Sequence, residues 1–149
     1  MKTIKKYSLL ALLILWGGLT INAQSDLEIR KVFEEYGNRK GVVMVELKGK
    51  MLEDYDFTAF KSISITNIPD AADFIRKCLT KDEAGAKKVK QVVSSGKATS
   101  IILQLAPKNE SNRLILFNES SGNPPKITLI YIESDENADD VLKLVLKKK

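Results

Sequence analysis

Glu53, Asp54 and Asp56 flank Tyr55 in one short stretch, and they are the residues of this chain best suited to do chemistry. Paired carboxylates split a glycosidic bond by dividing the labour. One protonates the leaving oxygen, while the other attacks the sugar or activates water. Enzymes of that kind also present aromatic platforms to the sugar, and only 7% of this chain is aromatic. The cluster therefore reads first as a solvated loop, with Glu53, Asp54 and Asp56 as candidate binding residues. The alternative is a small carboxylate-dependent enzyme acting on envelope polymers. There is no histidine, which excludes Ser-His-Asp and Cys-His nucleophile pairs and removes the commonest zinc ligand. No catalytic residue, cofactor or metal is assigned.

Other polar groupings have simpler readings. Cys78, the only cysteine, falls on an apolar helical stripe, where a free thiol acts as a small hydrophobe. Ser95-Gly96-Lys97-Ala98-Thr99 has the Gly-Lys pair of a phosphate loop. However, Gln91 stands where the leading glycine is required and Ala98 where the hydroxyl is required, so it reads as a turn. Asp135, Asn137 and Asp139 offer oxygens at calcium-loop spacing. Asp140 replaces the glycine and Leu146 the closing glutamate, so the stretch reads as an acidic helix start. Lys81, Lys87, Lys88, Lys90 and Lys97 read as a solvated basic face.

The elements that must position these residues follow from spacing. Ser25 with Glu28 forms a capping box, and Ile29, Val32, Phe33 and Tyr36 recur at helical intervals. Val42 to Leu47 is a short β-branched run opened by Gly41, and reads as a buried strand. A polar connection follows, with a helical turn at Met51-Leu52. Phe60 to Thr66 reads as a strand with Ile63 and Ile65 on one face. Asp70 starts a helix whose apolar face is Ala71, Phe74, Ile75, Cys78 and Leu79. Thr80 with Glu83 suggests a further helix from Lys81 to Val93. Strands over Thr99–Ala106, Arg113–Glu119 and Lys126–Glu133 make an antiparallel meander. Ile127, Leu129 and Tyr131 lie on one of its faces and Ile130 and Ile132 on the other, so both faces need cover, from helices or from a second copy in a homodimer. Asn137 caps a last helix with Ala138, Val141, Leu142, Val145 and Leu146 inward. The segregated order points to one α+β domain over residues 24–149: an antiparallel sheet of about five strands with helices packed on it.

Residues 1–23 have the layout of a cleaved secretory signal. Lys2, Lys5 and Lys6 are followed by the apolar run from Leu9 to Trp16 and the small-residue exit at Ala23. Cleavage there sends the chain to the periplasm or the exterior and removes Trp16. Taking Lys2, Lys5 and Lys6 from the 24 Lys and Arg leaves 21 against 19 Asp and Glu, a balance of +2. A surface so nearly neutral gives no footprint for nucleic acid, and nothing after the leader is long enough to span a membrane.

The run Phe33-Glu34-Glu35-Tyr36, then Lys40-Gly41-Val42-Val43-Met44-Val45-Glu46-Leu47 and Met51-Leu52, resembles a family of small exported domains of unknown function common in Bacteroidetes. The likeness extends over roughly Leu27 to Glu133 and is carried mainly by hydrophobic pattern. It implies export and an α+β fold, and no activity. Many members carry a lipid-anchor cysteine near the cut, which this chain lacks. The combined expectation is an exported, non-enzymatic module that binds a partner protein or a cell-envelope component.

Overall fold

The computed structural model describes residues 26–147. The Ser25 cap and the leader lie outside them. The described chain runs α1 (Arg30–Tyr36), β1 (Val42–Glu46), α2 (Lys50–Glu53), β2 (Phe57–Thr66), α3 (Ala71–Glu83), β3 (Ala86–Ser94), β4 (Lys97–Lys108), β5 (Ser111–Ser120), β6 (Lys126–Ser134) and α4 (Ala138–Lys147). The strands form one six-stranded antiparallel sheet in the order β1-β2-β6-β5-β4-β3. The α+β class stands, with six strands where about five were expected.

The extra strand is β3, in the stretch that reads as a helix over Lys81–Val93. Thr80 does not open a new helix. It lies inside α3 and donates its hydroxyl back to the Arg76 carbonyl at 2.9 Å. Beyond α3 the chain passes Gly85, and Val89, Val92 and Val93 favour extended backbone. Because β3 is an edge strand with every residue after Ala86 exposed, it lacks the inside–outside alternation that would announce a strand. Ser95 (φ 51) and Gly96 (φ 76) then make a two-residue turn into β4. Both are left-handed, as the twist of a tight hairpin requires. Asn109 and Glu110 repeat the device between β4 and β5.

Strand β1 is also corrected. Its apolar run reads as buried, yet Val43 is 64% exposed and Met44 and Val45 are 40% and 42% exposed. A run of Val and Met records a local β preference, whereas burial depends on strand order. Here the order puts β1 at an edge.

The sheet is apolar on both faces, as Ile127, Leu129 and Tyr131 against Ile130 and Ile132 suggest. The inner face carries Ile63, Ile65, Ile101, Leu103, Ile115, Phe117, Leu129 and Tyr131, all buried beneath α1 and α3. α1 is capped from a distance: the Asp82 carboxylate, on the last turn of α3, accepts from the backbone N–H of Glu28 at 2.7 Å and of Ile29 at 3.0 Å. Cys78 is buried beside it, and burial followed by the nearby Asp82 charge pushes its thiol pKa up, which weakens it as a nucleophile.

At the margin of this face, the buried Arg113 donates to the Ala106 carbonyl and to Asp26 Oδ2, both at 2.9 Å. Burial opposes ionisation of Asp26, but the Arg113 hydrogen bond and charge outweigh it and hold the carboxyl below its ordinary value. A carboxyl lowered on folding contributes stability above the ordinary carboxylate range and loses it as pH falls through the lowered value. Asp26→Asn is therefore expected to be less stable than the unchanged chain at neutral pH, with the gap closing in acid. Thermal melts across a pH series check this. A gap that stays constant with pH means Asp26 is not the linked group.

Candidate functional site

The outer face of the sheet is less completely covered. Its core is Phe57, Leu114, Leu116, Ile132, Ala138 and Val141, with Leu47, Leu52, Phe60, Ile102, Ile130, Leu142 and Val145 half-buried around it. The cover is α4, capped at its start by the Asn137 side chain, which accepts from the Asp139 N–H at 2.8 Å. Only Ala138 and Val141 of this helix are buried. One turn spans about 100° per residue, so Leu144 and Leu146 fall on opposite margins of the inward stripe. They are 38% and 46% exposed.

Each margin overhangs a groove. On the Leu144 side lies one of about 290 Å³, with Phe57, Phe60 and Ile130 forming its floor. Leu47, Met51 and Tyr55 form one wall, and Leu144 and Val145 the other. The second groove, about 200 Å³, lies on the Leu146 side over Ile102, Leu116 and Ile130, and ends on Ser100, Asn118 and Thr128. Ile130 and Val145 line both.

The aromatic floor of the larger groove depends on a local irregularity. Register slips between Phe57 and Ala59, so that Phe57 pairs with Ser134 and Phe60 with Ile132. Residues three apart on a regular strand face opposite ways; the extra residue puts both rings on the outer face. Tyr55, Phe57 and Phe60 then stack in series, with centroids 5.7 and 5.8 Å apart and interplanar angles of 20° and 7°.

The expected carboxylates stand beside this groove and do not line it. Glu53 ends α2, and Asp54 follows as its cap residue. Asp56 turns the chain into β2 with φ 56, a conformation that Asp tolerates better than most residues. Its carbonyl is held by the Ser134 hydroxyl at 2.7 Å. All three are exposed. The residues of this stretch that line the groove are Met51, which reads from sequence as part of a helical turn, Phe60, which reads as the start of a strand, and Tyr55 and Phe57, to which the sequence assigns no role. Their apolar character is visible in the sequence, but their convergence on one face is not, since it depends on the register slip between Phe57 and Ala59.

Elsewhere, Asp135 accepts from the Ser111 hydroxyl at 2.8 Å. Among the described residues no group of three or more Cys, Asp or Glu is placed to hold a metal ion, and no helix is long and apolar enough to cross a membrane. Among the described residues that line the groove there is no thiol, carboxylate or amine, and Tyr55 is the one polar side chain.

Comparison with protein families finds a match over residues 16–145 to a family of unknown function, DUF6108. The chain belongs to this family. The DUF6108 match takes in every element from α1 to β6 and most of α4, so the sheet and its outer cover fall within the family domain. No curated protein and no solved structure matches the chain.

Proposed function

We propose that this DUF6108 member is an exported, non-enzymatic module that binds an apolar segment of a partner protein in the cell envelope. The observation that carries the reading is the groove beside α4, floored by stacked rings and walled by exposed Met51, Tyr55 and Leu144. At about 290 Å³ it sits at the small end of ligand clefts, and specific small-molecule clefts also bring several polar groups together to fix orientation. This groove offers one phenol. A dry aromatic slot with an exposed charged border is the anatomy of a protein anchor site. Lys48, Lys50, Glu53, Asp54 and Asp56 are exposed and adjoin Leu47, Met51 and Tyr55 in the chain, which supports reading the acidic cluster as part of that border. The envelope location rests on residues 1–23, whose charged, apolar and small-residue sections have the layout of a cleaved secretory signal.

The test uses photo-crosslinking residues placed singly at Met51 and Leu144, with Lys77 on the exposed side of α3 as control. In envelope extracts, positions 51 and 144 are expected to give one shared adduct and position 77 none. With Met51→Asp and Leu144→Asp set in the two walls and the crosslinker moved to Tyr55, the adduct should fall at least about tenfold, the cost of a buried unpaired charge. Both substitutions are at exposed positions, so the fold should survive. Equal adducts from all three positions, or an adduct indifferent to the charges, overturns the reading.

A further inference from the structure

We propose that β1 is the edge through which two copies of this chain join their sheets. The sheet ends in two edges of different construction. β3 carries Lys87, Lys88 and Lys90 and two register irregularities, devices that blunt an edge against pairing. β1 presents Val42, Val43, Met44 and Val45 before its first charge at Glu46. Among the described residues, Val43, Met44, Val45, Met51 and Tyr55 together put half of the large exposed apolar side chains on the β1–α2 side, a concentration that marks interaction surfaces.

The backbone polarity of β1 fits. Leu47 N–H donates to the Phe60 carbonyl at 3.2 Å and Thr66 N–H to that of Gly41 at 3.0 Å, in the register that sets Met44 opposite Ile63. Bonded and unbonded pairs alternate in an antiparallel ladder. Val43 and Val45 therefore direct their backbone groups toward β2, and Met44 and Glu46 direct theirs outward. Val42 also points outward, but its N–H is taken up by the Arg39 carbonyl at 3.3 Å.

A second copy of the same strand answers this edge. A two-fold axis through Met44 makes it a doubly bonded pair with the same residue of the other copy, the closed geometry of an isologous contact. Val43 then faces the other copy's Val45 on the outer face, and Val42 faces its Glu46 on the inner. The valine strip is continuous with Leu47, so the outer apolar surface runs from one copy's groove to the other's. The pairing needs no occupant in the groove and stands apart from the partner-binding reading.

Sedimentation of the purified chain over a concentration series is expected to give a monomer–dimer equilibrium. Met44→Pro removes one outward donor per copy and leaves the β1–β2 bonds in place. It should weaken dimerisation at least about tenfold with the thermal melt retained. Val43→Lys with Val45→Lys, at exposed positions, should do the same if the proline variant does not fold. A chain that stays monomeric at every concentration, or a dimer that both variants leave intact, overturns the proposal.

Discussion

Replacing Asp82 by alanine is expected to cost about 3 kcal/mol of stability, because each buried donor left without a partner costs about 1–3 kcal/mol and this carboxylate serves two. Asp82 is 7% exposed, so water cannot readily take its place. The loss should appear as a lower urea midpoint with unchanged slope, and as a melting temperature reduced by roughly 10 °C. Asp82→Asn keeps one acceptor and should lose about half as much. Burial, acting against the two donors, holds the Asp82 carboxyl above its ordinary value. Its share of stability is therefore full below the ordinary carboxylate range and declines as pH rises through the raised value. The alanine deficit should be larger in acid than at neutral pH, opposite in sign to that of Asp26. Amide exchange at Glu28 and Ile29 localises the effect. A deficit below about 0.5 kcal/mol, the range of ordinary surface substitutions, contradicts the tertiary cap.

Phe117→Ala is expected to cost about 4 kcal/mol, the middle of the range for emptying an aromatic site. The ring is 1% exposed, lies between Leu129 and Ile101 on the neighbouring strands, and has the Arg76 guanidinium 5.5 Å from its centroid. Arg76 is itself fixed by hydrogen bonds to the Ala98 carbonyl and to Glu119. Strands bonded on both sides cannot close over the void. Leu116→Ala, one residue away on the outer face, should cost about half as much, because Leu116 lines the 200 Å³ groove and neighbouring α4 has room to settle. Parallel denaturation of the two variants checks the contrast. Equal losses mean that the two faces are packed alike.

The unequal faces also explain what could be read from the chain. Ile63 with Ile65, the stripe through Ala71, Ile75, Cys78 and Leu79, and the split of Leu129 from Ile130 were all legible, because burial imposes a period on side chains that must face one way. Where burial is weak, that imprint fades. β3 is a charged edge with no inside to record, and its lysines suit an exposed helix equally well. β1 failed in the other direction, since apolar character says nothing about which strand will lie beside it. Asp82 was invisible as a cap because its partners lie more than fifty residues away in sequence. The groove was hidden by the register slip before Ala59, which no regular alternation predicts. The acidic residues around Tyr55 were conspicuous by type, yet their placement follows from turn geometry.

The strand order carries a consequence for timing. From Ala86 to Ser134, neighbours in the sheet are neighbours in sequence, so that stretch can zip from its own short turns. The hairpin-like pair β1 and β2 has no such privilege. Its seat is the flank of β6, the last of the described strands in chain order, and closing so long a loop is slow. The pair β1 and β2, the first of the described strands to emerge, must wait for the last of them with β2's far edge open.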